Sequence, residues 1–370
     1  MRFGVLVSTS TAMNAPVSSQ LPGRPLALAR WLFAVAALIV AVVVVGGITR
    51  LTESGLSITE WKPVTGVIPP LNEAQWQAEF AAYRQIPQYI EVNGPAGMTL
   101  ADYKFIYFWE WFHRFLVRMG LGMVFVVPLV WFWLRGAIPT GYKPRLIGLL
   151  ALGLLQGVVG WWMVKSGLHG AADTKVSHLR LAVHLSLALS ALGYAVWTAL
   201  DLRALARGAA PARLTRFGAL IIAALAVQLI YGALVAGMRA GHVSGGGWFY
   251  WGSWPLMQGQ FYPAGVDWSA GLLHGLTGDP YLVHFIHRWW AWVVVALLIV
   301  LARRIRARAR AVSIAIHSAF GTQILLGIAT VWSGIALWLA AAHQLTGALV
   351  LVTAIWGVHK LGSQGTDLKG

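Results

Sequence analysis

The sequence predicts an all-α polytopic membrane protein, with eight transmembrane helices forming two tandem four-helix bundles related by a pseudo-twofold axis. Three observations predict it. Of 370 residues, 58% are hydrophobic and only 11% charged, against about 25% charged in a soluble domain. Eight apolar stretches, at roughly 30–50, 105–134, 146–165, 179–200, 214–237, 281–302, 311–331 and 334–358, can each cross about 30 Å of hydrocarbon as a helix. Landmarks of the first four stretches recur in the last four. A mean hydropathy of +0.67 excludes a soluble globule, a disordered chain and a secreted disulfide scaffold.

The elements follow in order. Residues 1–29 are polar and read as a flexible tail, with Met13 as an alternative start; Arg is too sparse and the pattern too irregular for a transit peptide. The first span leads into a long loop, 52–104, carrying Glu53, Glu60, Glu73, Glu79, Glu91 and Asp102. Within it, 72–85 has the pattern of a short amphipathic helix with Asn72 as N-cap. A rim solvated by these acids and a cover over the first-half site both remain open. The seventh and eighth spans are divided only by Ser333-Gly334.

Orientation comes from the loops. Arg135, Lys143 and Arg145, then Arg203, Arg207 and Arg213, then Arg303, Arg304, Arg306, Arg308 and Arg310 lie on one side, with little acid besides Asp201 and Asp367. That side is expected to be cytoplasmic, together with both termini. The net charge of +16 is therefore a topology signal rather than a nucleic-acid footprint. The expected division is a tail (1–29), an N-terminal half (30–200), a linker (201–213), a C-terminal half (214–360) and a second tail (361–370).

There is no cysteine, which excludes disulfides, iron–sulfur clusters and covalent c-type haem attachment. The duplication is visible in matched segments. FWEWFHR at 108–114 resembles LVHFIHR at 282–288. Gln156 before Gly160 resembles Gln323 before Gly327. The segment beginning AVHLSLAL at 182 resembles AAHQLTGA at 341. Four helices per half means both halves cross in the same sense, which predicts an axis along the membrane normal, unlike inverted repeats.

Four histidines occupy matched places: His113 and His184 in the first half, His287 and His343 in the second. Each lies within about two turns of the outer end of its helix. Two imidazoles facing across a four-helix bundle form a bis-axial haem site. One intramembrane His is as readily a packed polar residue as a ligand. Four at one depth point to function, because polar groups in lipid are costly. Glu110, His113 and Arg114 share a helix face; the position matching Glu110 in the second half is His284, while Arg114 and Arg288 correspond. Both halves thus keep a ligand and an Arg, and only the first keeps a carboxylate. That asymmetry suggests chemistry in the first half and a resident cofactor in the second.

Arg114 and Arg288 are candidates to pair with haem propionates; ordinary helix-end neutralisation is the equal alternative. Arg118 is a further charge on the same helix as Glu110. His317 and His359 fall toward the cytoplasmic side, and His169, His178, His242 and His274 in or beside outer loops. Gly46, Gly47, Gly232 and Gly237 permit close packing of helices or of a flat ligand.

At these residues the chain resembles the haem A synthase family of cytochrome-oxidase assembly proteins. The densest segments are GGITRLTESGLSITEWKPVTGVIPP (46–70), KFIYFWEWFHR (104–114), HLRLAVHLSLA (178–188), FIHRWWAW (285–292) and AAHQLTGA (341–348). The resemblance covers about 30–360. It implies oxidation of the C8 methyl of haem O to the formyl group of haem A, through a hydroxylated intermediate, for supply to cytochrome c oxidase. It implies a resident haem b held by His287 and His343, with Arg288 beside it. Substrate haem would be held by His113 and His184, with Arg114, and Glu110 would be catalytic. The absence of Cys places the chain with the cysteine-free mitochondrial and proteobacterial branch, in a bacterial inner membrane.

Expected partners are the haem O-making farnesyltransferase, an electron-transfer protein and lipid. Self-association is left open. Two competing readings are a quinol-linked di-haem b-type electron carrier and a haem-handling transporter. The first leaves the Glu110/His284 asymmetry without a purpose; the second fits poorly with four ligands at one depth.

Overall fold

The computed structural model describes residues 23–62, 65–168 and 174–363. The tail before residue 23, His169 and the last seven residues lie outside that set. Among the described residues the chain is helical with no strand, and eight helices are long and apolar enough to cross a membrane. They are α1 (Pro25–Leu51), α3 (Leu100–Leu134), α4 (Lys143–Leu168), α5 (His178–Leu205), α6 (Arg216–Met238), α8 (Pro280–Ile305), α9 (Arg310–Trp332) and α10 (Leu337–Gly362). Two shorter helices, α2 (Glu73–Tyr83) and α7 (Leu272–Gly278), lie in the connecting loops. The protein is a multi-pass membrane protein. Six of the eight spans start earlier than the hydropathy pattern predicts, because polar first turns such as Leu100–Tyr103 continue the helix beyond the apolar stretch; α6 and α10 start two and three residues later.

The bundle reuses one contact pattern. Among the first four spans, α1 packs on α3 and α5, α4 on α5, and α3 on α4. Among the last four, α6 packs on α8 and α10, α9 on α10, and α8 on α9, with a further contact of α8 on α10 that has no strong counterpart in the first set. The two sets meet through α5 with α6, α1 with α10, and α5 with α10. A continuous apolar core joins them, including Leu28, Leu32, Leu192, Leu202, Leu298 and Ile305, all fully or almost fully buried.

The long third helix is not regular throughout. Residues Gly120–Val126 widen into a π-helical segment before Pro128. Proline has no N–H to return to the carbonyl four residues back, here that of Val124. The indole Nε1 of Trp31 on α1 donates to that carbonyl instead, at 2.7 Å.

The predicted helix at 72–85 is present as α2. Asn72 caps it, its side chain accepting from the Gln75 N–H at 2.9 Å. Phe80 and Tyr83 bury against Tyr103 of α3, with ring centroids 5.0 and 5.1 Å apart, and Trp76 meets Tyr107. The Asn93 amide donates to the Tyr83 hydroxyl, which donates to Gln88. Burial pushes the Tyr83 phenol up to about 12, so it stays protonated. Gln88 in turn donates to the Glu53 carbonyl at the end of α1. The Glu53 carboxylate pairs with Arg239 at the end of α6, tying the two sets of spans at their loop-bearing ends. The tight connection at 333–335 is also present, with Gly334 and Ile335 both left-handed (φ +67° and +69°).

At the opposite end, where the basic residues gather, Asp201 is fully buried. It accepts from Arg145 of α4 at 2.6 Å, from the Ala212 N–H at 3.0 Å and lies 2.9 Å from His359 Nε2 of α10. Its sequence neighbours suggested a loop acid; the structure makes it the last turn of α5 and a junction of three segments.

Candidate functional site

The four histidines project from α3, α5, α8 and α10, and each is matched by a glycine on the neighbouring helix. A Cβ added at Gly46 of α1 would lie 3.0 Å from His113. The same distance separates Gly160 of α4 from His184, Gly232 of α6 from His287, and Gly327 of α9 from His343. A ring tucked against bare backbone needs glycine there, because any side chain would occupy the imidazole's place. The sequence singled out Gly46 and Gly232 for close packing. Gly160 and Gly327 were noted only as landmarks of the repeat. The signal that would have found them is their matched spacing after Gln156 and Gln323. Gly47 backs onto Gln344 of α10 instead, and Gly237 onto His178.

The rings of His287 and His343 face one another, with centroids 6.5 Å apart and planes at 83°. Two axial imidazoles on one iron, with metal–nitrogen bonds of about 2 Å, put their centroids about 6 Å apart. The spacing of the pair therefore matches that of two imidazoles on one iron. His184 Nδ1 and His343 Nδ1 are buried with no hydrogen-bond partner, a cost that ligation would remove. Among the described residues there is no cluster of three or more His, Cys, Asp or Glu to hold a bare metal ion, so the donor set is one of paired imidazoles.

Valine at Gly46 is expected to drive His113 off its position. Overpacking of this kind costs about 1–3 kcal/mol. Haem titration of the purified protein followed at the Soret band should show one site lost in Gly46→Val and the other intact.

Glu110 is 2% exposed. One carboxylate oxygen accepts from Ser57 Oγ at 2.7 Å and the Ile58 N–H at 2.8 Å; the other accepts from Arg114 at 2.5 Å. Arg114 also donates to the carbonyls of Ile58 and Glu60, and Arg118 to those of Lys62 and Gly66. The charges on α3 are thus compensated by the backbone of the loop folded back over them. Placing three charges on one span is tolerable for that reason.

The second half answers with a parallel set. His284, 4% exposed, lies 3.1 Å from Ser244 Oγ and 3.4 Å from Arg288. Arg288 donates to the carbonyls of Ser253, Pro255 and Leu256 and to Ser244 Oγ. Both arginines are therefore anchors for the loops at the histidine end of the bundle, a role the sequence left unseen because the acceptors are main-chain carbonyls more than 30 residues away. Ser57 and Ser244 were missed on the same ground.

Of the remaining histidines, His178 Nε2 lies 3.0 Å from the Thr277 carbonyl and so is wedged between loops rather than solvated. His317 Nδ1 lies 2.8 Å from the Ser313 carbonyl of its own helix. His359 belongs to the Asp201 junction.

Fold and site together define a class: a helical membrane protein carrying four glycine-backed histidines, two of them facing one another and another on the same helix as a buried carboxylate. A family model described as cytochrome oxidase assembly protein matches residues 29–355. The chain is 63% identical over 352 residues to a heme A synthase of Novosphingobium aromaticivorans, covering 95% of this chain and 100% of that one. It is 55% identical over 340 residues to a heme A synthase of Erythrobacter litoralis (91% and 98% covered), and 54% identical over 357 residues to one of Sphingopyxis alaskensis (96% and 97%). The chain belongs to the haem A synthase family of cytochrome oxidase assembly proteins.

Proposed function

We propose that this chain is a haem A synthase, oxidising the C8 methyl of haem O to the formyl group of haem A through a hydroxylated intermediate, for cytochrome c oxidase. The observation that carries the reading is the pairing of two bis-histidine sites of which one alone has a carboxylate, Glu110, buried at its side. His287 and His343 hold a resident haem b. His113 and His184 hold the substrate haem. Bound haem supplies one-electron redox chemistry that no protein side chain here can.

The chain's own residues supply position and charge. The four glycine-backed imidazoles fix depth and orientation. Glu110 sits with its two oxygens held by Ser57, Ile58 and Arg114, so its charge is aimed without reorganisation at the moment of reaction. It stabilises positive charge that develops at the oxidised methyl and takes its proton. Arg114 holds the loop at Ile58 and Glu60, and Arg118 holds it at Lys62 and Gly66, over this site, and so they limit water there. Arg288 does the same for the 253–256 segment over the resident site.

The matched contacts of the two sets of spans support two tandem halves, 30–200 and 214–360, related by a pseudo-twofold axis along the membrane normal. The arginines at 303–310 support a cytoplasmic basic end and haem sites near the outer face of a bacterial inner membrane. The farnesyltransferase that makes haem O is the expected substrate donor, and an electron-transfer protein the redox partner.

The test is extraction and chromatography of haems from membranes making this chain together with a haem O-producing farnesyltransferase, beside a His287→Ala control. Haem A or its hydroxylated precursor is expected only with the intact chain. Haem O left unchanged while haem b still co-purifies would replace this reading with a di-haem electron carrier.

A further inference from the structure

The two histidine pairs differ in what holds their rings. On α6, Gln228 Nε2 lies 3.1 Å from His287 Nδ1 and 3.0 Å from the His287 carbonyl. On α9, Gln323 Nε2 lies 3.3 Å from His343 Nε2. Each glutamine stands four residues before the glycine that backs the histidine it touches, Gly232 and Gly327. The Oε1 atoms of both are buried without a partner. A half-turn of the Gln323 amide brings that oxygen onto His343 Nε2, where it accepts the N–H that a metal-bound imidazole carries on its free side, whereas Gln228 stays as it stands, its Nε2 bonded to the His287 carbonyl and held against the Nδ1 edge of the ring.

The first pair has no such support. Four residues before Gly46 stands Val42, which offers no polar group. Four before Gly160 stands Gln156, whose Oε1 is also buried without a partner and which makes no hydrogen bond to His184 among the described residues. Among the described residues His113 has no hydrogen-bonded side chain at its ring; His184 Nδ1 is unpartnered, as is His343 Nδ1, but only His343 has a glutamine at its other ring nitrogen.

We propose that Gln228 and Gln323 are positioning residues that lock the His287–His343 pair onto a permanently held haem, and that the missing partners at Val42 and Gln156 leave the His113–His184 pair free to release its haem each turnover. The proposal rests on the assignment of the two sites given above. Its physical basis is general: a second hydrogen bond fixes the tautomer and plane of a ligating imidazole and raises its basicity, and its loss typically weakens metal sites about 10- to 100-fold. The same bundle thus yields a retentive site and an exchanging one from a difference of two side-chain contacts.

The test measures haem loss rather than turnover. Purified protein loaded with haem b is mixed with excess apomyoglobin as haem acceptor, and transfer is followed optically. The unmodified chain is expected to show one fast-leaving and one slow-leaving haem. Gln228→Leu with Gln323→Leu should speed the slow phase about 10- to 100-fold and shift its midpoint potential, and Gln323→Glu, which keeps an acceptor, should restore slow loss at that ring. Val42→Gln should slow the fast phase. Gln156→Leu, equally buried but touching no histidine, controls for packing and should leave the slow phase unchanged. A slow phase and potential unaffected by the double leucine variant would overturn the proposal. Absence of any haem from the unmodified chain would instead overturn the assignment of the sites.

Discussion

Glu110→Gln is expected to leave both haem sites loaded, with unchanged Soret spectra, while haem A formation falls by about 10²- to 10⁴-fold, the usual worth of a positioned acid–base group. The amide keeps the volume of the carboxylate and an oxygen for the Ser57 hydroxyl and the Ile58 N–H. It loses the negative charge and the ion pair to Arg114. Because Glu110 also holds the loop, a second variant separates the two roles. Ser57→Ala removes one hydrogen bond from the same oxygen and leaves the charge in place. It should cost stability of about 1 kcal/mol and spare most of the product. Product analysis and haem content of both variants check the pair of expectations. Equal product from Glu110→Gln and the unmodified chain would remove Glu110 from the chemistry and leave it as a loop anchor.

Asp201→Ala is expected to give the largest loss of stability. The carboxylate is fully buried and joins α4, α10 and the segment after α5 through Arg145, His359 and Ala212. Removing one member of a buried charged network leaves the others without compensation, at a cost of about 3–5 kcal/mol. Arg145 is a third exposed and recovers some hydration; His359, at 5%, does not. The measurement is residual folded protein after heating in detergent, scored by size-exclusion chromatography. Haem spectra of the surviving fraction should be normal, since the junction lies at the end of the bundle away from the four histidines. A melting profile like that of the unmodified chain would show the network to be dispensable.

Much of this was legible in the sequence because the signals are local. Spans of 23 residues or more announce themselves by hydropathy, since lipid forces each to satisfy its own backbone. Asn72 capping α2 needs only three residues of context. The duplication exposed the four histidines and the Glu110/His284 contrast without coordinates. The arginines were read only by charge. Arg114, Arg118 and Arg288 bind main-chain carbonyls of the loops at the histidine end of the bundle, and carbonyls are present at every residue, so no sequence pattern marks them. Asp201 was counted as a loop acid because its partners at 145, 212 and 359 are far apart in the chain.

The sequence by itself determined the membrane setting and the eight spans, and it pointed to the paired halves and the candidate ligands, because hydropathy, periodicity and repetition are properties of neighbouring residues. Tertiary structure alone decided that His287 and His343 face one another, that each histidine lies against a glycine of another helix, and that Gln228 and Gln323 reach the second pair while nothing equivalent reaches the first. Those contacts join residues 16 to 67 positions apart, and only the packing of helix on helix sets their distance.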